Sequence, residues 1–307
     1  MNSEERKRWP HVLFGYDGTP ENDAALRWAV EEARLRRFGL VMCHCWHWPY
    51  PAGHADPDIE TIMKRAGENL LDGGVRRAYE LGVPGAVRKR LRRGPAAEAL
   101  LSAAAGAELV VIGAPERPDE GGTAMELSAR SPRPVIAARA GTPPHRVVVG
   151  VDGSSRCASA LGFAAEEAAL RGWTLHVVHG CWEPGAVVES ELALFHDREL
   201  LEKTRAAELD EAVEPVRRRY PDLRIEASPL LERPFDALRE AAENAGLVVL
   251  GDRGTGLEPL GATATAMLRR ASCTVAIVPG RRSREARTLA SDRPVPAGRA
   301  WNAGRER

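Results

Sequence analysis

The chain has 307 residues, of which 44% are hydrophobic and 28% are charged, and its 43 basic and 43 acidic side chains give a formal net charge of zero. This composition is typical of a globular protein with one large or two ordinary domains, and it gives no reason to expect nucleic-acid or membrane-surface binding. The first ten residues lack the apolar core of a signal peptide, and no apolar run approaches the roughly 20 residues that span a bilayer, so we expect a cytoplasmic protein. Five cysteines in such a chain favour buried, reduced thiols over a disulfide framework.

The N-terminal half alternates predicted strands and helices. Val12–Tyr16 is a short apolar run, typical of a strand that is covered on both faces. In the segment that follows it, Thr19 is a candidate helix cap and Pro20 suits the first helical turn. Two adjacent glycines, Gly73 and Gly74, weaken the prediction of the long second helix. The other predicted elements of this half are strands at 40–46, 87–91, 109–112 and 134–138 and helices at about 25–36, 59–81, 95–104 and 125–130.

The same order of elements begins again at Val147. Val147–Val151 leads into Asp152–Ser155, so the strand, acid, glycine and hydroxyl of the first opening recur 135 positions later. The apolar helical positions recur at the same offset, and Glu166-Glu167 repeats Glu31-Glu32, which the helical period places mostly on the polar face. The remaining predicted elements are helices at about 189–219 and 234–243 and strands at 225–231, 247–251 and 274–278.

The repeat unit of about 140 residues is too long for a solenoid and indicates two domains. Because strands alternate with helices, we predict an α/β fold in which each domain has a parallel sheet with helices on both faces. The predicted segments are a disordered tail (1–9), domain 1 (10–140), a linker (141–146), domain 2 (147–280) and a disordered basic tail (281–307).

Acids and glycines follow equivalent strands of both domains. Asp17 and Asp152 come after the first strand, and Gly113 and Gly251 end the fourth. Ligands bind to open parallel sheets at the carboxyl ends of the strands, where the strand order reverses. An acid at that place can accept a hydrogen bond from a base amino group or a ribose hydroxyl. The alternative interpretation of each Asp-Gly-hydroxyl segment is a turn followed by a helix cap, and the glycine-rich loop 251–256 suits either a phosphate cradle or a flexible turn.

One cluster of metal-binding residue types lies in the second predicted strand. Cys43, Cys45 and His47 would share one face of that strand, with neighbouring members ~6–7 Å apart. Zinc requires its ligands within ~2.0–2.3 Å of one ion, so we expect core packing and no metal site. No P-loop, Ser-His-Asp order or paired-histidine helix motif is evident, so we predict no catalytic residues.

The repeated segments resemble the universal stress protein family, and the whole chain resembles an actinobacterial tandem of two such domains over about residues 10–280. The segments that support the resemblance are 147–155, 160–171, 175–182, 247–254 and 274–279 in the C-terminal half, and 12–19, 25–36, 94–113 and 134–138 in the N-terminal half. The resemblance implies two tandem domains, each with a five-stranded parallel sheet of the adenine nucleotide alpha-hydrolase-like, Rossmann-like class. It also implies that the domains pair about a pseudo-twofold, often through the last strand of each.

Some members of this family bind ATP. Those members have an acid after the first strand and, after the fourth, Gly-x-x-Gly, nine further residues, and a Gly followed by Ser or Thr. By this resemblance the nucleotide-binding positions of domain 2 are Gly150, Val151, Asp152, Gly251, Arg253, Gly254, Gly261, Ala262 and Thr263. Only six residues separate Gly254 from Gly261, and Ala262 replaces the hydroxyl residue, which moves to Thr263. We therefore expect domain 2 to bind ATP, with magnesium, weakly or with a different phosphate count.

Domain 1 departs further from the family pattern. Asp17 and Gly113 remain, but Glu116 replaces the second glycine, and Pro115 and Pro118 each remove an N–H donor. The acids of this loop would also repel phosphate. We expect domain 1 not to hold ATP with ordinary family affinity.

The favoured hypothesis is a non-enzymatic regulator, linked to stress, that binds an adenine nucleotide. One alternative is a tandem scaffold that binds no nucleotide and acts through protein interactions. Another is a slow ATPase, which is disfavoured because the sequence has no P-loop lysine and no evident water-orienting base. We expect the two domains to pair with each other, leave a further homodimer open, and expect no nucleic-acid or membrane partner.

Overall fold

The computed structural model describes residues 9–48, 56–114, 122–141, 144–154, 157–180, 198–253 and 259–280. In the N-terminal half these residues form β1 (His11–Gly15), α1 (Asn22–Arg36), β2 (Gly39–Trp46), α2 (Pro57–Glu80), β3 (Val87–Arg93), α3 (Ala96–Ala104), β4 (Leu109–Gly113), α4 (Gly122–Arg130) and β5 (Val135–Ala138). In the C-terminal half they form β6 (Arg146–Gly150), α5 (Cys157–Arg171), β7 (Thr174–Gly180), α6 (Arg198–Arg219), β8 (Ile225–Leu230), α7 (Pro234–Ala242), β9 (Leu247–Gly251), α8 (Ala262–Arg270) and β10 (Thr274–Val278). Residues 1–8 of the predicted tail 1–9, the predicted tail 281–307, the loop 115–121 and the predicted helical residues 189–197 lie outside the described residues.

These strands belong to one sheet with the order β3-β2-β1-β4-β5-β10-β9-β6-β7-β8. Neighbouring strands are parallel within each half. The halves meet where β5 pairs antiparallel with β10, with Ile136 opposite Ala276. The structure thus confirms a five-stranded parallel sheet in each domain and a pairing of the domains through their last strands.

Helices cover both faces of the sheet. α1, α2, α5 and α6 pack on one face, around a core that is continuous between the halves and includes Phe14, Leu26, Leu161 and Val177. On the other face, α3 and α4 cover the N-terminal half and α7 and α8 cover the C-terminal half. The inner strands are continuous apolar runs because both of their faces are buried.

The first helix does not begin as predicted. α1 begins at Asn22, and its N-cap residue Glu21 makes no side-chain capping hydrogen bond. The backbone N–H and the hydroxyl of Thr19 both donate to Asp17 Oδ1, at 2.9 and 2.8 Å. The prediction of Thr19 as a helix cap is wrong, because the nearby carboxylate holds its hydroxyl in a local turn.

The cysteines of β2 pack inside the fold. Cys43 is buried and Cys45 is half-buried, and both are free thiols. The neighbouring Cys45 thiol and burial raise the pKa of Cys43. β2 ends at Trp46, so His47 is not part of the strand. Within the described ranges, no three His, Cys, Asp or Glu side chains are grouped so that they could hold a metal ion.

The two adjacent glycines of α2 do not interrupt the helix, which runs without a break from Pro57 to Glu80. A Cβ on Gly74 would lie 2.5 Å from Tyr16 and 2.6 Å from the Met42 sulfur, so this glycine lets α2 lie close to the sheet. Gly73 has a nearest neighbour at 4.0 Å, on the flexible Arg76 side chain. Close packing therefore requires the glycine at position 74, but nothing in the structure requires the one at position 73.

This difference predicts opposite effects of one substitution at neighbouring positions. Gly74→Ala is expected to lower the free energy of unfolding by about 1–3 kcal/mol, because the added methyl group overpacks the contact with the sheet. Gly73→Ala is expected to raise it by about 0.5–1 kcal/mol, because alanine loses less backbone entropy in a helix. Urea unfolding of both variants measures the two effects, and an equal loss of stability would contradict the packing argument.

A buried network of four charged side chains joins the two domains. Glu32 and Arg36 of α1 face Glu167 and Arg171 of α5, and all four are at most 6% exposed. Within each helix the arginine Nε bonds the glutamate, at 3.0 Å in α1 and 3.1 Å in α5. Each arginine also donates an Nη2 hydrogen bond to the glutamate of the other helix. We call these four residues the interdomain tetrad.

The tetrad shows that the predicted polar-face position of two glutamates is wrong. The helical period placed these acids mostly on a polar face, but Glu32 and Glu167 have no exposed surface because each helix packs against its counterpart. Burial and the charge of Glu32 raise the pKa of Glu167 to about 7, against the attraction of both arginines. Burial alone would also raise the pKa of Glu32, but Arg171 and Arg36 hold it below its ordinary value. The two carboxyl groups titrate as one unit, because they share two guanidinium groups.

Removing one member of the tetrad should destabilise the protein strongly. Arg171→Met leaves two buried glutamates with a single guanidinium group, and such an uncompensated buried charge costs about 3–5 kcal/mol. The control is Arg34→Met in α1, because Arg34 is 64% exposed and its contact with Glu31 is long, at 3.7 Å. The control should change stability by less than about 0.5 kcal/mol in urea unfolding. Equal effects of the two variants would mean that the tetrad contributes no more than a surface pair.

Candidate functional site

In each domain the carboxyl ends of the first and fourth strands lie side by side, and we call this place the crevice of that domain. β1 lies beside β4 and β6 lies beside β9, and both pairs are parallel. The strand order reverses at these two pairs, which is where ligands bind in open α/β sheets. Asp17 and Gly113 therefore lie at the end of one adjacent pair, and Asp152 and Gly251 at the end of the other.

The same backbone turn presents the acid in both domains. Gly18 (φ 81°) and Gly153 (φ 72°) adopt the left-handed conformation that favours glycine. Asp152 Oδ1 accepts one hydrogen bond, from the Ser154 N–H at 3.0 Å, and the residue is exposed. Asp17 Oδ1 accepts two, both from Thr19. Among the described residues, Asp152 Oδ1 thus accepts one hydrogen bond fewer than Asp17 Oδ1, and both aspartates are exposed.

Packing explains why residue 150 is a glycine and residue 151 a valine. A Cβ on Gly150 would lie 2.6 Å from Leu250 and 3.0 Å from Leu238. Val151 is 8% exposed, its side chain belongs to the core, and its N–H donates to the Val178 carbonyl oxygen at 3.0 Å. These two residues therefore fix the end of β6 and offer no side chain to a ligand.

The described ends of the loop after β9 are held by hydrogen bonds to each other and to a residue beyond β10. The Gly261 N–H donates to the Asp252 carbonyl oxygen at 2.9 Å, so this amide is already used. Asp252 Oδ1 accepts the Gly280 N–H at 2.9 Å. Arg253 Nε donates to the Pro259 carbonyl oxygen at 3.3 Å. Gly254 lies in 254–258, outside the described residues, so the centre of the predicted phosphate cradle stays a prediction.

The first turn of α8 is the remaining candidate for phosphate binding. α8 begins at Ala262, and its N-cap Gly261 makes no side-chain capping hydrogen bond. The first N–H groups of a helix have no partner within the helix, and the helix dipole favours an anion beside them. Ala262 is exposed and Thr263 half-buried. Their backbone amides and the Asp152 carboxylate follow neighbouring parallel strands, β9 and β6.

His179 and Arg205 lie beside this crevice and were not predicted. His179 is near the end of β7, and burial followed by the charge of Arg205 lowers its pKa. Asp152 is close enough to act on the same imidazole in the opposite direction. The equivalent His44 of domain 1 bonds the Tyr16 carbonyl oxygen at 2.8 Å. A histidine repeated at the end of the second strand was a signal that could have identified His179, whereas Arg205 has no equivalent signal.

In domain 1, the buried side chain of Asn22 packs beside the end of β4. Asn22 is 4% exposed, and its Nδ2 lies 3.2 Å from where a Cβ on Gly113 would be. Among the described residues, Asn22 Oδ1 has no hydrogen-bond partner. Cys157 takes the equivalent position in domain 2, where its thiol contacts the Ser154 carbonyl oxygen at 2.9 Å. Asp17 and Gly113 are thus brought together, but with Asn22 beside them.

Both halves of the chain match a family model, described as the universal stress protein family, over residues 9–139 and 144–279. The chain belongs to the universal stress protein family. It is 32% identical over 287 residues to a universal stress protein of Mycobacterium tuberculosis, covering 88% of this chain and 96% of the relative. It is 29% identical over 264 residues to one of Mycolicibacterium smegmatis, covering 80% of this chain and 87% of the relative.

A solved structure has the same fold. A universal stress protein from Archaeoglobus fulgidus superposes with a TM-score of 0.67 at 15% identity, covering 89% of this chain and 97% of that one. At this identity the likeness is evidence for the fold alone. None of the helices in the described part of this chain is long and apolar enough to cross a membrane.

Proposed function

We propose that this universal stress protein is a regulatory, non-catalytic module that binds an adenine nucleotide, ATP with magnesium, in the crevice of domain 2. The observation that supports the proposal best is the exposed Asp152 carboxylate at the end of β6, beside the strand that leads to the uncapped first turn of α8. An acceptor for the nucleoside and a set of donors for phosphate thus follow neighbouring strands. Magnesium, when bound with ATP, would neutralise part of the phosphate charge.

Each of the predicted residues has a distinct role in this proposal. Asp152 accepts a hydrogen bond from the base amino group or a ribose hydroxyl. The Ala262 and Thr263 amides donate to phosphate, as does the Gly254 loop. Gly150, Val151 and Gly251 shape the crevice, and the N–H of Gly261 stays on Asp252. Arg253 contributes positive charge near the phosphates without leaving its own loop.

Domain 1 is proposed to bind no nucleotide. Asp17 already accepts both Thr19 donors, and Asn22 is packed beside Gly113. The acids and prolines at 115–120 add repulsion and remove donors, as the sequence predicts. The pair of domains would therefore carry one nucleotide.

Calorimetric titration with ATP and magnesium tests this proposal. Asp152→Ala should weaken binding by on the order of tenfold or more, since a hydrogen bond to a charged group is lost. Its matched control is Asp17→Ala, which alters the same turn in domain 1 and should leave binding unchanged.

A second pair of variants examines the phosphate end. Ala262→Glu places a negative charge at the first turn of α8, where it favours the helix but repels phosphate, so lost binding cannot be attributed to a lost helix. Ala262→Gln, similar in size but neutral, should bind nearly as the unaltered protein does. If Ala262→Glu binds ATP normally, the phosphates lie elsewhere.

A tandem scaffold without nucleotide is the second candidate function. The observation that favours it is the Gly261 N–H, which the Asp252 carbonyl uses instead of leaving it for phosphate. Absence of any heat or melting shift at millimolar ATP would select this function over the first.

A further inference from the structure

The outermost strand of domain 1 has an unusual concentration of positive charge. β3 has the sequence VRKRLRR, and it forms one end of the sheet, with β2 as its single strand neighbour. Three arginines of β3 pair in register with residues of β2: Arg88 with Val41, Arg90 with Cys43 and Arg92 with Cys45. They lie on the face of the sheet that α3 covers nearer its centre. The three arginines therefore form a row on one face, with neighbours about 6.5–7 Å apart. We call this row the arginine ladder.

The ladder lacks acidic partners within the described part of the chain. The cations on the opposite face of β3 do have partners, because Lys89 contacts Asp72 at 2.5 Å and Arg93 lies 4.0 Å from Glu60. No described acidic side chain forms an ion pair with Arg88, Arg90 or Arg92. Arg88 lies over the Trp9 ring at 4.1 Å, and Arg88 and Arg92 are exposed. Within the described ranges the positive charge of the ladder is therefore not balanced by an ion pair.

The other end of the sheet shows that the fold does not require these cations. β8 is the outermost strand of domain 2, and its residues equivalent to the ladder are Glu226, Ser228 and Leu230. Glu226 is paired with Arg146 at 3.0 Å and with Arg224 at 3.1 Å. β8 also contains Pro229, which has no N–H to offer a further strand. β3 contains no proline, so the alternate N–H groups that do not face β2 are present along its outer edge, and one of them, that of Val87, contacts Tyr79 Oη at 3.4 Å.

We propose that the β3 edge binds an extended acidic peptide of a partner protein, which adds an eleventh strand to the sheet. An added strand bonds to the open backbone of the edge, and its alternate side chains have the same spacing as the arginine ladder. Acidic side chains at those positions lie opposite Arg88, Arg90 and Arg92 as cross-strand pairs. Charged edges usually prevent sheets from aggregating, and here the positive charge repels a second β3 edge while it admits an acidic strand.

A single-stranded nucleic acid fits this surface less well. Sequence-tolerant binding of single strands depends on aromatic faces on which bases stack. Trp9, the aromatic residue at the ladder, already packs under Arg88 and stacks on His11 with ring centroids 5.3 Å apart. A phosphodiester chain has no regularly spaced N–H and C=O groups that could bond the open backbone edge of β3. A peptide can therefore use both the arginines and the backbone of this strand, whereas a nucleic acid can use only the arginines.

Fluorescence anisotropy with a labelled peptide of five Glu-Val repeats tests the proposal on the full chain. The peptide should bind, and Arg88→Glu/Arg90→Glu/Arg92→Glu should weaken its binding at least about tenfold. The matched control reverses three exposed arginines of domain 2, Arg218, Arg239 and Arg270, to glutamate and should bind as the unaltered protein does. Equal weakening by both variants would mean that only overall charge matters and would overturn the proposal. If the ladder variant has no melting transition, the exposed pair Arg88→Glu/Arg92→Glu provides the same comparison.

Two further probes separate strand addition from other modes. Two peptides are used, one N-methylated at its odd-numbered residues and one at its even-numbered residues. Each keeps its charge but loses the backbone donors along one of its two edges. At least one of the two should bind at least about tenfold more weakly, and normal binding of both would overturn strand addition. An oligothymidylate of equal charge should bind more weakly than the peptide, and tighter binding by it would overturn the choice of a peptide partner.

Discussion

The interdomain tetrad is the interaction on which the arrangement of this protein depends. Two glutamates and two arginines are removed from water between α1 and α5, and each needs the members of the other helix to complete its hydrogen bonds. An unpaired buried charge destabilises the fold by more free energy than a paired one contributes to it. Docking of the helices in a displaced position would therefore be strongly unfavourable. The network therefore favours one relative position of the domains, and that position brings β5 and β10 into register.

The antiparallel contact of β5 with β10 determines where the binding surfaces lie. All strands of domain 2 run opposite to those of domain 1, because each half is parallel within itself. Along the strand direction, the carboxyl ends of the strands of domain 1 therefore lie on the opposite side of the sheet from those of domain 2. The two crevices lie on opposite sides in the same way. Under the proposed function, a nucleotide in domain 2 would therefore lie far from the equivalent place in domain 1. The same contact covers one edge of each half and leaves β3 and β8 as the outer strands.

The fold was predictable from the sequence to the extent that the signals were local or repeated. Apolar runs and the recurrence of Asp17–Thr19 at Asp152–Ser154 led to the correct sheet class and to the correct adjacency of the first and fourth strands, whereas the ligand site at their ends stays a prediction. The prediction of Thr19 as a helix cap was wrong because its hydroxyl bonds a neighbouring carboxylate. Gly74 was taken as a sign against a helix, but it is needed where α2 packs closely against the sheet. Glu32 was assigned to a polar face because helical periodicity contains no information about a second domain. The use of the Gly261 amide by Asp252 was equally invisible, since it depends on how one loop closes.

Equivalent positions of the two domains show which constraints duplication preserved. Glu32 and Glu167 are both retained, and so are the left-handed glycines Gly18 and Gly153, because the docking and the turn fail without them. Other positions near a strand end or at an outer edge differ in charge or polarity, as Asn22 differs from Cys157 and Arg88 from Glu226. Their side chains are not shared between the domains, so each copy could change without disturbing the other.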